Sequence, residues 1–180
     1  VALAFVNMLL ASGLGAVMAL NRLGGWFHWA PQQAAFAHAH LAAVGWAMMM
    51  VVGLSYRLIP MIVPAAMPTG SSMAASAILL QAGVSVLVVA LISGSSWTAI
   101  GAFLIVAGLI SFVTRVRRIV AKRLPPPAAL PRPDRATWQT HVAFGWLLVA
   151  AVIGVWLAMP GQRRWLVELE WLYGTLGLVG

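Results

Sequence analysis

The chain has 180 residues, 62% of them hydrophobic and 8% charged, with a net charge of +8, nine Trp, nine Met and no Cys. A soluble domain is about a quarter charged, so the composition describes an integral membrane protein and excludes the usual soluble classes. The absence of cysteine excludes disulfides, thiolate-bound haem, Cys-ligated clusters and covalent c-type haem.

Six apolar segments follow one another, each measured against the roughly 20 residues that span a bilayer. The predicted architecture is therefore all-α, a single polytopic bundle with five full spans and a truncated sixth. The first span covers 1–20 and ends at Asn21, Arg22, Gly24 and Gly25. Its stretch Ala11-Ser-Gly-Leu-Gly-Ala16 is a small-residue patch suited to close helix packing. An aromatic loop with Trp26, Phe27 and Trp29 suits the headgroup level. The second span covers 34–60, and Pro60, Pro64 and Pro68 oppose its continuation. The third (73–92) and fourth (99–116) are joined by the short turn Gly94-Ser-Ser96, which predicts an antiparallel pair. A basic, proline-rich connector occupies 117–135. The fifth span covers 137–159 and is broken by Pro160-Gly161, and the sixth covers 165–180. A chain that begins at Val1 and stops inside an apolar run reads as part of a longer protein.

Lys and Arg set the predicted orientation. Arg115, Arg117, Arg118, Lys122, Arg123, Arg132 and Arg135 cluster around the fourth-to-fifth connector, which is therefore placed in the cytoplasm. The clustering points to membrane topology and not to nucleic acid. Odd spans then run outward and even spans inward. That puts His38 and His40 near the outer surface of a bacterial-type inner membrane, with Arg57 roughly 25 Å deeper by the helical rise, as a snorkelling interfacial residue.

The chemistry centres on 37–61, where a membrane helix opens with Ala37-His-Ala-His40. Histidine is costly in a bilayer and marks a ligand or a proton path by default. Two residues apart on a helix, His38 and His40 point about 200° from each other, so they cannot share one metal. The face of His38 continues through Ala42, Gly45, Met49 and Val52, leaving clearance for a flat macrocycle near Gly45. The face of His40 continues through Val44, Ala47, Val51 and Leu54, a plainer packing surface. His38 is the expected ligand and His40 its polar companion. The alternative is an interfacial histidine bonded to a carbonyl.

His38, His40 and Gly45, as His-x-His-x-x-x-x-Gly opening a membrane helix, resemble the second helix of subunit I in haem–copper oxidases. The likeness is closest to the branch related to nitric oxide reductase. The same pattern is similar to that of the NnrS family of haem- and copper-containing membrane proteins. The resemblance implies haem of b type with His38 as the iron ligand and His40 and Gly45 beside it. It implies respiratory electron transfer or reduction of oxygen or nitric oxide, with other respiratory-complex subunits or an electron-donor cytochrome as partners. Copper belongs to the family's pattern, but its histidines lie on later helices. Phe36-Ala37 stands where the oxidase motif often has an arginine.

The remaining polar residues have modest readings. His141, within Trp138-Gln-Thr-His141, is read as an inner-interface histidine, with a metal ligand for a second, inner site as the sharper alternative. His28 is read as surface and Gln81 as an interhelical hydrogen bond. Met48-Met-Met50 reads as packing, because three consecutive side chains point in three directions. Arg163 and Arg164 are candidates for a haem-propionate contact, and Glu168 and Glu170 read as surface charge. Two rivals compete with the haem reading: a histidine-lined transporter or channel-like bundle, and a non-catalytic structural subunit.

Overall fold

The computed structural model describes residues 1–67, 72–124, 135–159 and 166–179. Among these residues the structure is helical, with no strand. Six helices form: α1 (Ala2–Gly24), α2 (Pro31–Ile62), α3 (Ser72–Ser93), α4 (Thr98–Ala121), α5 (Arg135–Ala158) and α6 (Leu166–Val179). The first five are long and apolar enough to cross a membrane. The 14 residues of α6 are fewer than a span requires.

Local chemistry explains the boundaries. α1 runs four residues past the predicted end, because Gly25 supplies a left-handed cap at φ 63° whose amide returns to the Asn21 carbonyl at 2.8 Å. The Asn21 side chain then holds Phe27 from both sides. Its Nδ2 donates to the Phe27 carbonyl at 3.0 Å, and its Oδ1 accepts from the Phe27 amide at 2.7 Å. Phe27 stacks on Trp29 with ring centroids 4.9 Å apart. α2 starts three residues before the predicted position because Pro31 occupies its first turn, where a missing amide hydrogen costs nothing. Pro60 lies inside its last turn, and the helix ends two residues later. α4 runs five residues past its predicted end, through Arg117 and Arg118. Arg favours helix, and positive charge complements a helix C-terminus. The basic connector is correspondingly shorter than 117–135.

Contacts divide the chain into two compact units, Val1–Arg123 and Leu124–Gly180, with the break inside the segment read as a connector. The sequence predicts one transmembrane domain, and the division falls within its charged, proline-rich connector.

In the first unit α3 and α4 form the expected antiparallel pair. Gly94 closes α3 in a Schellman turn at φ 65°: the Ser95 amide reaches the Ala90 carbonyl at 2.9 Å, and the Gly94 amide reaches Leu91 at 3.3 Å. Three glycines then let the two backbones touch. A β-carbon at Gly83 would lie 2.7 Å from the Ile105 amide nitrogen, one at Gly101 2.7 Å from that of Leu87, and one at Gly108 2.8 Å from the Leu80 side chain. Lipid offers no hydrophobic drive for helix association, so close van der Waals approach through small residues takes its place. α2 packs antiparallel to α3, with the Tyr56 hydroxyl 2.8 Å from that of Ser76. The Tyr56 ring also meets Phe112 of α4 edge-on, with centroids 5.6 Å apart. In the second unit, α5 and α6 pair through Gly154, where a β-carbon would lie 2.9 Å from the Tyr173 ring.

Gly101→Ala should lower the thermal midpoint of the detergent-solubilised protein, costing about 1–3 kcal/mol of overpacking. Gly13→Ala, where a β-carbon meets nothing within 4 Å, should leave the midpoint unchanged or raise it. Equal midpoints for the two variants would show that the α3–α4 contact does not hold the unit together.

Candidate functional site

The middle of α2 is not an α-helix. Leu41–Met48 forms a π-helix, and the backbone returns to α geometry at Met49. The pattern of buried residues shows what this does. Ala34, Ala37, Leu41, Gly45, Met49, Val52, Tyr56 and Pro60 are buried, and the steps from Ala37 to Met49 are 4, 4 and 4. On an α-helix of 3.6 residues per turn those three steps drift by about 120°. The wider π turn keeps Leu41, Gly45 and Met49 on one face, so a single side of α2 stays packed over its whole length.

Widening also frees a carbonyl. The Met49 amide donates to Val44 and Trp46, skipping Gly45, its partner in an α-helix. The Gly45 carbonyl is met instead by α1, where Asn7 Nδ2 donates to it at 2.8 Å. The Asn7 amide also pairs with Gln81 of α3. Asn7 Nδ2 lies 2.8 Å from Gln81 Oε1, and Gln81 Nε2 donates to Asn7 Oδ1 at 3.2 Å and to the Ser85 hydroxyl at 3.3 Å. Asn7 is fully buried. Gly45 lies about 20 Å from the start of α2 by the rise per residue, near mid-span. Gln81 therefore makes the interhelical bond expected of it. The face beside Gly45, read as clearance for a macrocycle, is filled by Asn7: a β-carbon on Gly45 would lie 3.0 Å from Asn7 Cβ and Cγ.

His38 lies seven residues after Pro31, partly buried. Its Nδ1 is 3.0 Å from the Ala11 carbonyl of α1. A carbonyl can only accept, so Nδ1 carries the proton and Nε2 presents its lone pair. The ring lies against Gly15, where a β-carbon would be 3.1 Å from His38 Cε1 and 3.9 Å from Nε2. The small patch of α1 thus accommodates an imidazole. His40 turns to its own helix, with Nδ1 2.8 Å from the Phe36 carbonyl, and its protonated nitrogen is fixed the same way. The structure separates the two histidines, as their spacing requires.

One helical turn below His38, Leu41 lines an open apolar cleft of about 450 Å³ between α1 and α3. Leu10, Gly13, Leu14, Val88 and Ile92 form its walls, with Asn7 and Ser85 as its polar edge. His141 is exposed on α5 of the second unit. Arg57 is exposed near the C-terminal end of α2. Arg163 and Arg164 fall outside the described residues, as does the Glu168 side chain. Among the described residues no three His, Cys, Asp or Glu side chains gather at one point.

Asn7 is the residue that sequence reasoning missed. Its signal was available: it is the one amide within an apolar first span, and an isolated amide there needs a partner on another helix.

No protein-family model, curated protein or solved structure matches the chain. The helices define its class: it is an integral membrane protein built as an all-α bundle.

Asn7→Leu should destabilise the bundle by about 1–2 kcal/mol, the upper range for interhelical hydrogen bonds in membranes. A double-mutant cycle with Gln81→Leu should show coupling, because either change removes the same Asn7–Gln81 hydrogen bonds. Additive losses in detergent unfolding would mean that the two amides act independently.

Proposed function

We propose that the chain is a haem-binding membrane protein of the haem–copper oxidase subunit I type, with His38 as an axial ligand to a b-type haem. One observation carries the reading: the Ala11 carbonyl fixes the Nδ1–H tautomer of His38 and leaves Nε2 as a lone pair. Metal-ligating histidines characteristically donate their other ring nitrogen to a carbonyl or carboxylate in this way. Gly15 supports the reading by letting the ring pack against α1, where a β-carbon would lie 3.1 Å from Cε1. The apolar cleft one turn away supplies walls suited to a macrocycle. Bound haem would supply one-electron redox chemistry. The residues of this chain would hold the imidazole at a fixed angle and keep water from it. His40, tied to Phe36, would stand beside the ligand as a polar neighbour. Gly45 enters through its carbonyl, which Asn7 holds. His141 remains the candidate ligand of a second site. The activity this implies is electron transfer or reduction of oxygen or nitric oxide, with a second axial ligand and the electron donor coming from other subunits or other parts of the protein.

The location goes with the same reading. A bacterial-type inner membrane, with the basic connector in the cytoplasm and the His38 end outside, follows from the excess of Lys and Arg around that connector.

The purified protein reconstituted with haem should show a Soret band that His38→Ala abolishes and His40→Ala retains. Absence of the band, or its survival in His38→Ala, overturns the assignment. In the cysteine-free chain, a Cys at Ser95 should react with an impermeant maleimide from outside intact cells, and a Cys at Lys122 only after lysis. The reverse pattern would invert the orientation.

A further inference from the structure

The first unit contains a cation whose counter-charge is missing from its own sequence. Arg115 lies on α4, three residues past Phe112, which fixes this end of α4 against Tyr56 of α2. Arg115 is half-buried: its Nε is shut off from solvent, and among the described residues no acceptor reaches that atom. A guanidinium stays charged under any physiological condition and cannot escape the cost by deprotonation. A buried charged donor left unpaired is strongly destabilising, which is why such groups are normally met by a carboxylate.

No carboxylate side chain exists in this unit. The three acidic residues of the chain are Asp134, Glu168 and Glu170, all beyond Arg123, where the unit ends. The same end of the unit holds Arg57, Arg117, Arg118, Lys122 and Arg123, all exposed, and adds no negative charge. The first unit therefore supplies no carboxylate counter-ion of its own. The position of Arg115 narrows the choice. Arg115 lies near the C-terminus of a helix long and apolar enough to span the membrane, the level at which headgroups meet protein. At the adjoining end of α2, Met61 and Ile62 are exposed and apolar, a surface suited to acyl chains.

We propose that Arg115 receives the phosphate of an anionic phospholipid at the basic end of the first unit. The planar fork of the guanidinium matches a phosphate oxyanion. A zwitterionic lipid brings its own cation into a region that already carries an excess of them, so the site discriminates for net negative headgroups.

The full chain, purified in a neutral detergent, is offered phosphatidylglycerol, phosphatidylcholine or inorganic phosphate, and bound lipid is read by native mass spectrometry alongside the thermal midpoint. Phosphatidylglycerol should be retained about tenfold over phosphatidylcholine, a ratio within reach of one charge-assisted hydrogen bond. Phosphatidylglycerol alone should raise the midpoint. Arg115→Gln should lose the preference, while Arg117→Gln, an exposed position, should keep it. Arg115→Lys retains the charge without the fork, and it should fold and bind phosphatidylglycerol severalfold more weakly than wild type. Equal retention of the two lipids by the wild type overturns the proposal, as does an undiminished preference in Arg115→Gln or Arg115→Lys. Protection by inorganic phosphate equal to that by lipid would show a free-anion site and overturn the assignment to a lipid.

Discussion

A carbonyl released from its helix in the middle of a membrane has no water to turn to, and leaving it unmet costs several kcal/mol. In this protein the Gly45 carbonyl is released by the return from π to α geometry, and Asn7 meets it from the neighbouring helix. The arrangement of the first unit follows. Glycine suits position 45 because Asn7 approaches so closely that a β-carbon would lie 3.0 Å from it and push the side chain back. Asn7 in turn needs a partner for its own oxygen, and Gln81 brings α3 to the same level. One backbone defect thus fixes the axial register of three helices. The π segment also keeps the packed side of α2 continuous from Ala34 to Pro60, so the defect and the packing support each other. π segments of this kind occur often at functional sites, and this one begins directly after His40.

Polar register and apolar contact divide the work between them. α3 and α4 meet through Gly83, Gly101 and Gly108, with hardly any side chain between the backbones. That contact is tight but carries little directional information, since glycine surfaces can slide. The Tyr56–Ser76 hydroxyl pair and the edge-on contact of Tyr56 with Phe112 pin α2 to the hairpin at a second level, away from Asn7. Two pinned levels on one helix leave little freedom to rotate or shift. The His38 imidazole sits at a third level, where α1 provides Ala11 and Gly15. Its orientation is inherited from the two contacts below it.

The number of helices, their order and the antiparallel α3–α4 pair could be read from apolar run lengths and from Gly94-Ser-Ser96, because bilayer thickness and turn chemistry act locally. The separation of His38 from His40 could be read from helical period alone. The π segment could not. Nothing in Leu41–Met48 departs from an ordinary membrane helix, and the widening depends on Asn7, 38 residues away, meeting the carbonyl. For the same reason Gly45 was assigned to cofactor clearance when its neighbour is a protein side chain. The preference for His38 over His40 rested on the small face of α2. In the structure the small residues beside the ring are those of α1, Ala11 and Gly15, a patch visible in the sequence but without an address until the helices were placed. α1 and α4 run four and five residues past their expected ends, where a glycine cap and a run of arginines carry the helix beyond its apolar stretch.

The distribution of charge separates two kinds of chemistry in the first unit. Around His38 and Gly45 the side-chain polar groups find partners within the unit: imidazole with carbonyl, amide with amide. At the end of α4 they are cationic, with no carboxylate side chain in the first 133 residues to answer them. Neutral hydrogen-bonded groups can be buried at modest cost, whereas a charged donor such as the buried Arg115 Nε costs more when no acceptor meets it. The hydrogen-bonded groups are satisfied within the first unit, whereas the cationic end has no carboxylate side chain in that unit to pair with. A membrane protein can leave such a charge uncompensated because its solvent, unlike water, presents fixed anionic groups at a defined depth.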